Sequence, residues 1–171
     1  TEQAVAAAHD MLRQASINKD RLWFDGVPLT SERVKKLINV KLMECDCVAQ
    51  HTIVAGGEQA CDPHNEGSGP LPAHRSIIFD VFPRSATNRF FADMSRTVVR
   101  GTPSPDLKRL YQTVLDAQEE AITKVKDGAD GKRIHQGICT RFEKAGYKTG
   151  LVNGRMQGYF HGTGHGVGLD I

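Results

Sequence analysis

The residues predict an α+β fold, on three observations. Apolar side chains recur at helical spacing in several separate stretches. Between them lie short β-rich runs bounded by glycine and proline. The resulting order is two helices, a strand and a hairpin, then two more helices and a glycine-rich, strand-like end. The two halves are loosely alike in element order, without a sequence repeat.

Residues 3–15 form the first helix, because Ala4, Ala7, Ala8, Met11, Leu12 and Ala15 share one face and alanine favours helix. Residues 18–28 read as a loop, with Trp23 and Phe24 as packing anchors. Thr30 or Ser31 caps a second helix, whose apolar face is Val34, Leu37, Ile38 and Leu42. Residues 48–55 form a strand ending at Gly56-Gly57, and residues 61–73, with three prolines and two glycines, form a loop. Ile77-Ile78-Phe79 leads a strand into Asp80; residues 84–89 are polar and turn-prone, and residues 90–99 return as its partner, closed by Gly101.

Pro103, Pro105 and Asp106 suit a helix start. Leu107, Leu110, Tyr111, Val114, Leu115, Gln118, Ala121, Ile122 and Val125 then keep helical spacing. After the turn marked by Gly128 and Gly131, Asp130 caps a further helix with Ile134, Ile138 and Phe142 inward, and Gly146 ends it.

Of the 171 residues, 39% are hydrophobic and 25% charged, enough apolar surface for a domain with its own core. Lys and Arg number 22 against 20 Asp and Glu, a net charge of +2 without blocks of one sign, so no nucleic-acid or membrane-surface partner is expected. Cys45, Cys47, Cys61 and Cys139 show neither a disulfide ladder nor zinc-knuckle spacing and read as reduced thiols, which suggests a cytoplasmic protein. No apolar run is long enough to span a membrane, and no secretion signal is visible. The chain begins with Thr1.

The chemistry concentrates in Asp80, Asp93 and the closing run His161-Gly162-Thr163-Gly164-His165-Gly166-Val167-Gly168. A hairpin with suitable register sets both aspartates on one face, where their repulsion is relieved by a divalent cation such as Mn, Co, Fe or Zn. The alternative is structural: Asp80 as a strand-end residue and Asp93 paired with Arg96. The glycines beside His161 and His165 clear room for a close ligand. On a strand the two imidazoles would share a face, with His165 suited to a metal and His161 to a substrate carbonyl or oxyanion. The Gly-x-Gly-x-Gly pattern lacks the strand–turn–helix context of a phosphate loop.

Together, DVFPRSATNRFFADMSRTVVRG, HGTGHGVGLD and the upstream TIVAGGEQACDPHNEGSG resemble the metallopeptidases of pita-bread fold: Xaa-Pro aminopeptidases, prolidases, methionine aminopeptidases and the metal-free creatinase. The likeness runs over essentially the whole chain and favours the proline-directed peptidases. It implies an α+β pita-bread fold, with residues 1–171 as the N-terminal and central part of the catalytic domain, incomplete at the C-terminus and without a separate N-terminal domain. It also implies roles. Asp80 would chelate one metal, Asp93 bridge two, and His165 bind one as a terminal ligand. His64 and His161 would flank the substrate. A metal-bridging hydroxide would attack the bond N-terminal to proline.

Two divalent ions (Mn, Co or Zn) are implied in the complete enzyme, with a peptide carrying proline at its second position as substrate. The thirteen-residue separation of Asp80 and Asp93 marks a subgroup with a longer loop. The family's two glutamate ligands and a further histidine follow the position of His165 and match nothing up to Ile171; Glu66 and Glu143 fit no motif position. The chain alone is therefore expected to be inactive and to associate with another chain, a homodimer being left open, or to be part of a longer polypeptide. The alternative function is a non-catalytic binding module of the same fold.

Overall fold

The computed structural model describes residues 1–171. They divide into two compact units, Thr1–Ser104 with Gly166–Ile171, and Pro105–His165.

In the first unit, helix α1 (Glu2–Gln14) buries Ala4, Val5, Ala8 and Leu12 at the predicted spacing. The expected loop of 18–28 is instead an antiparallel meander of β1 (Ser16–Asn18), β2 (Arg21–Phe24) and β3 (Val27–Pro28). Both of its turns have two consecutive residues at positive φ, Lys19 and Asp20 at 45° and 61°, then Asp25 and Gly26 at 53° and 74°. That geometry matches the right-handed twist of paired strands, and Asp-Gly is its sequence signature. Leu22 is fully buried and anchors the meander, whereas Trp23 and Phe24 are only half-buried.

Helix α2 (Ser31–Met43) is capped by Thr30, whose hydroxyl accepts the Arg33 N–H at 3.4 Å. It buries Val34, Ile38 and Leu42, with Leu37 half-buried. Ser31 is also buried, and its hydroxyl donates to the Val54 carbonyl at 2.7 Å, so no polar group is stranded there.

The single strand expected over 48–55 is two: β4 (Cys47–Val48) and β5 (Ile53–Gly56). Between them His51 adopts φ 55°, which turns the chain out of an extended path. A short 3₁₀ turn (Gly57–Cys61) follows, then β6 (Ile77–Val81), β7 (Arg84–Ser85) and β8 (Met94–Val98). The main sheet is antiparallel with order β5-β6-β8, and β7 pairs with β4. The return strand therefore starts at Met94 rather than residue 90. Before it the same register continues as an isolated bridge between Phe91 and Arg84, with the Phe90 carbonyl accepting the Ser85 N–H at 3.0 Å; β7 also pairs with β4, and the Phe91 N–H donates to the Gly168 carbonyl at 2.7 Å. Ile77, Phe79 and Val81 face the core with Leu12, Leu22, Leu29, Ile38 and Leu71.

The second unit is built on α3 (Pro105–Lys124) and α4 (Gly131–Lys144). Asp130 caps α4 by accepting the Lys132 and Arg133 N–H groups at 2.9 and 3.3 Å, and Gly146 follows it at φ 93°. Ile138 and Phe142 pack on Ala117 and Ala121 of α3. Arg141 of α4 meets Glu120 at 2.7 Å and Asp116 at 3.4 Å. The predicted apolar face of α3 is only partly used: Ala121 is buried, but Leu110, Tyr111, Val114, Ile122 and Val125 are exposed. A single helical neighbour covers one narrow stripe, and here that stripe is the alanines, whose small side chains allow close approach.

The end of the chain is strand-like only in part. β9 (Gly150–Val152) and β10 (Arg155–Gln157) form a hairpin on Asn153-Gly154, both at positive φ. Residues 158–171 join no sheet. His161 and His165 therefore do not lie on a strand, and the shared face expected of a strand does not apply. Alternating glycines offer no side chains to pack against a neighbouring strand.

Candidate metal centre

Period-two alternation in β6 turns Phe79 and Val81 to the core and Ile78 and Asp80 to the opposite face. Asp80 pairs across the ladder with Ser95, and Val81 with Met94. The Ala92 N–H donates to the Pro83 carbonyl at 3.0 Å, which carries the same register past the strand ends and sets Asp93 opposite Phe82. Asp80, Asp93 and Ser95 thus share one sheet face, with the aspartates as diagonal neighbours. Such neighbours lie about 7–8 Å apart at Cα, within reach of side chains on both strands.

The structural alternative for Asp93 is disfavoured by the same register. Arg96 pairs with Phe79 and faces the core side of the sheet, where it contributes to the field around His9. It therefore lies on the opposite face from Asp93.

Ser95 is a partner the sequence reading missed. Its hydroxyl donates to Asp80 Oδ1 at 2.5 Å, which fixes the carboxylate's orientation on its strand. The signal was the pairing register, invisible until the strand bounds are known.

His64 also belongs to the first unit, on the exposed loop after the 3₁₀ turn, where its N–H donates to Asp62 Oδ1 at 2.9 Å. Gln59 holds that loop by donating to the Ser68 carbonyl and accepting the Ser68 N–H, both at 3.1 Å. His161 and His165 belong to the second unit. The His161 Nδ1–H donates to the Gly162 carbonyl at 2.9 Å, and the ring stands edge-on to Tyr159, centroids 5.1 Å apart.

Around His161 lie further residues that the sequence reading passed over. Thr163 Oγ1 hydrogen-bonds His135 Nδ1 at 2.9 Å, and Cys139 Sγ lies 3.5 Å from His135 Nε2. The signal for this pair was present: positions 135 and 139 are four apart on α4 and so share a face. Burial pushes the Tyr159 phenol above its ordinary pKa, partly offset by a hydrogen bond with Thr163.

Hard oxygen donors on one face suit divalent cations, so Asp80 and Asp93 fit part of the implied ligand set. Neither unit by itself holds three or more His, Cys, Asp or Glu side chains arranged to bind a metal ion.

The α+β architecture matches part of a pita-bread domain on comparison with solved structures. The prolidase of Pyrococcus furiosus aligns with a TM-score of 0.79 at 25% identity, over 99% of this chain and 44% of that one. The profile of metallopeptidase family M24 matches residues 1–171, and the chain belongs to that family. Among curated relatives, an uncharacterized peptidase of Staphylococcus epidermidis is 33% identical over 97 residues, 56% of this chain and 27% of its own. A Lactobacillus helveticus Xaa-Pro dipeptidase is 30% identical over 97 residues, 56% of this chain and 26% of its own. The aligned part of the chain thus covers about a quarter of the length of these relatives.

Proposed function

We propose that this chain is part of a metal-dependent peptidase that hydrolyses the peptide bond N-terminal to proline. The observation that carries the reading is the family match over all 171 residues, joined to the register that turns Asp80 and Asp93 to one face. The similarity to an Xaa-Pro dipeptidase supports proline as the specificity element.

Asp80, Asp93 and His165 would hold divalent ions, with Mn, Co or Zn as candidates and two ions in the whole protein. Bound there, such ions would lower the pKa of a water molecule and polarise the scissile carbonyl. The chain's own groups prepare that chemistry. Ser95 holds one Asp80 oxygen and leaves the other to a ligand. His161 has its Nδ1–H committed to a backbone carbonyl, so its Nε2 is the nitrogen left for the substrate. His64 would steady the substrate from its loop. A cytoplasmic location and self-association belong to the same proposal.

Two carboxylates and one imidazole are a small donor set, and affinity follows ligand number and geometry. These 171 residues alone are therefore expected to bind metal weakly and to lack turnover. The test is calorimetric titration of Mn or Co into the chain and into the whole protein, with Asp80→Asn and Asp93→Asn variants, beside hydrolysis of an Xaa-Pro dipeptide. Metal-dependent turnover by the whole protein, lost in both variants, is the expected result. No turnover at saturating metal would favour a binding module instead.

A further inference from the structure

Residues 158–165 make no helix or sheet ladder, and Gly158, Gly162 and Gly164 leave their backbone loosely restrained. An imidazole carried on such a segment is placed by side-chain ties or not at all. We propose that His135 and Tyr159 are positioning residues that fix the His161 imidazole, Tyr159 by ring packing and His135 through Thr163. The inference rests on the reading of His161 as a substrate-side group.

The ties begin at Tyr159. The Thr149 hydroxyl accepts the Tyr159 N–H at 2.9 Å and donates to the Tyr159 carbonyl at 3.3 Å, so one side chain brackets that residue's backbone. Gly158, at φ 84°, permits the approach, since a Cβ there would lie 2.5 Å from the Lys148 carbonyl oxygen. The phenol ring then sits among three others. It meets Phe142 edge-on at 5.0 Å, His135 at 5.5 Å and His161 edge-on at 5.1 Å. Edge-to-face pairs at these separations are favourable beyond their buried area.

The second tie lies two residues beyond His161. Thr163 Oγ1 is held by His135 Nδ1 at 2.9 Å. His135 is in turn fixed in orientation, because Cys139 engages its other nitrogen at 3.5 Å and α4 carries both residues. His161 thus hangs between two anchored positions, 159 and 163. Its Nδ1–H is spent on the Gly162 carbonyl, and the anchoring sets where Nε2 points.

The experiment follows His161 directly and does not depend on metal. In the labelled 171-residue chain, NMR reads the His161 ring resonances and the heteronuclear NOE of residues 159–165. Four variants are compared: His135→Phe, which keeps the ring but loses the bond to Thr163; Thr163→Val; His135→Asn, which restores a polar partner; and Cys139→Ala. His135→Phe and Thr163→Val should shift the His161 ring signals and lower the NOE of the segment, with the signals of α3, and of α4 away from position 135, unchanged. His135→Asn should recover most of the wild-type pattern, and Cys139→Ala, which frees the other nitrogen of His135 but keeps its bond to Thr163, should shift the His161 signals in the same direction and less than His135→Phe does.

In the whole protein, with an Xaa-Pro dipeptide, His135→Phe should lower kcat by about tenfold or more while KM stays within about twofold, as small misplacements of a catalytic group do. Unchanged His161 signals in both His135→Phe and Thr163→Val would overturn the proposal. So would unchanged kcat in His135→Phe when the wild type turns over. Displaced His161 signals with no turnover even in the wild type would leave the tether standing and remove the peptidase reading instead.

Discussion

A single nitrogen shows how this molecule's residues report on its environment. His9, on α1, has its Nε2 buried without a hydrogen-bond partner, and its ring lies 5.6 Å from that of Phe79. Burial first, then the neighbouring Arg13 and Arg96, lowers its pKa below the ordinary 6.5, against a smaller opposing effect of Asp10. A histidine whose folded-state pKa is depressed adds stability above the unfolded value. That contribution disappears as pH falls through the folded value. The chain should therefore have a lower urea midpoint at pH 5.5 than at pH 7.5, and His9→Leu should shrink that difference. An undiminished difference in the variant would assign the pH dependence to other groups. Gly67 is a second sensitive residue. It sits at φ 76°, and a Cβ there would collide with the Val54 carbonyl in the strand beside Asp80. Gly67→Ala should cost more than about 2 kcal/mol, since steric clash and left-handed strain act together, as equilibrium unfolding would show.

Among the elements, α4 repays its sequence most directly. Its cap, apolar stripe and terminating glycine were all legible, because each is a local decision of a few neighbouring residues. Asp130→Ala removes the acceptor for two backbone N–H groups and should destabilise the second unit by about 1 kcal/mol, while Asp130→Ser should restore most of it, measured by thermal unfolding. The meander of β1, β2 and β3 was legible in principle, through Asp25-Gly26, but its strands are only two to four residues long and carry no clear alternation. The break between β4 and β5 had no local signal at all. Cys47 and Val48 leave the main sheet because β7 offers them a partner some 37 residues downstream, a choice fixed by pairing rather than propensity. The face of α3 was misjudged for a related reason. Periodicity identifies which side chains share a stripe, whereas the neighbouring helix decides which part of it is covered.

At the level of the whole molecule, two cores of unequal size stand behind the two units. The first gathers sixteen buried residues around Leu22, Ile38 and Phe79, and the second only Ala117, Ala121, Ile138 and Phe142. Hydrogen exchange should accordingly protect β5 and β6 more than α3 and α4, and Phe142→Ala should raise exchange in α3 and α4 while leaving β5 and β6 unchanged. Equal acceleration throughout would mean that the units unfold as one. The sequence by itself determined the helices, the aspartate-bearing hairpin, the glycine frame of His161 and His165 and the family, because these depend on periodicity, local turn chemistry and motif order. Only the tertiary structure decided that Asp80 and Asp93 share a face, that Ser95 holds Asp80, and that His135, Tyr159 and Thr163 surround His161. Those facts are set by strand register and by contacts between residues distant in sequence, and spacing along a chain does not encode which distant side chain will arrive beside it.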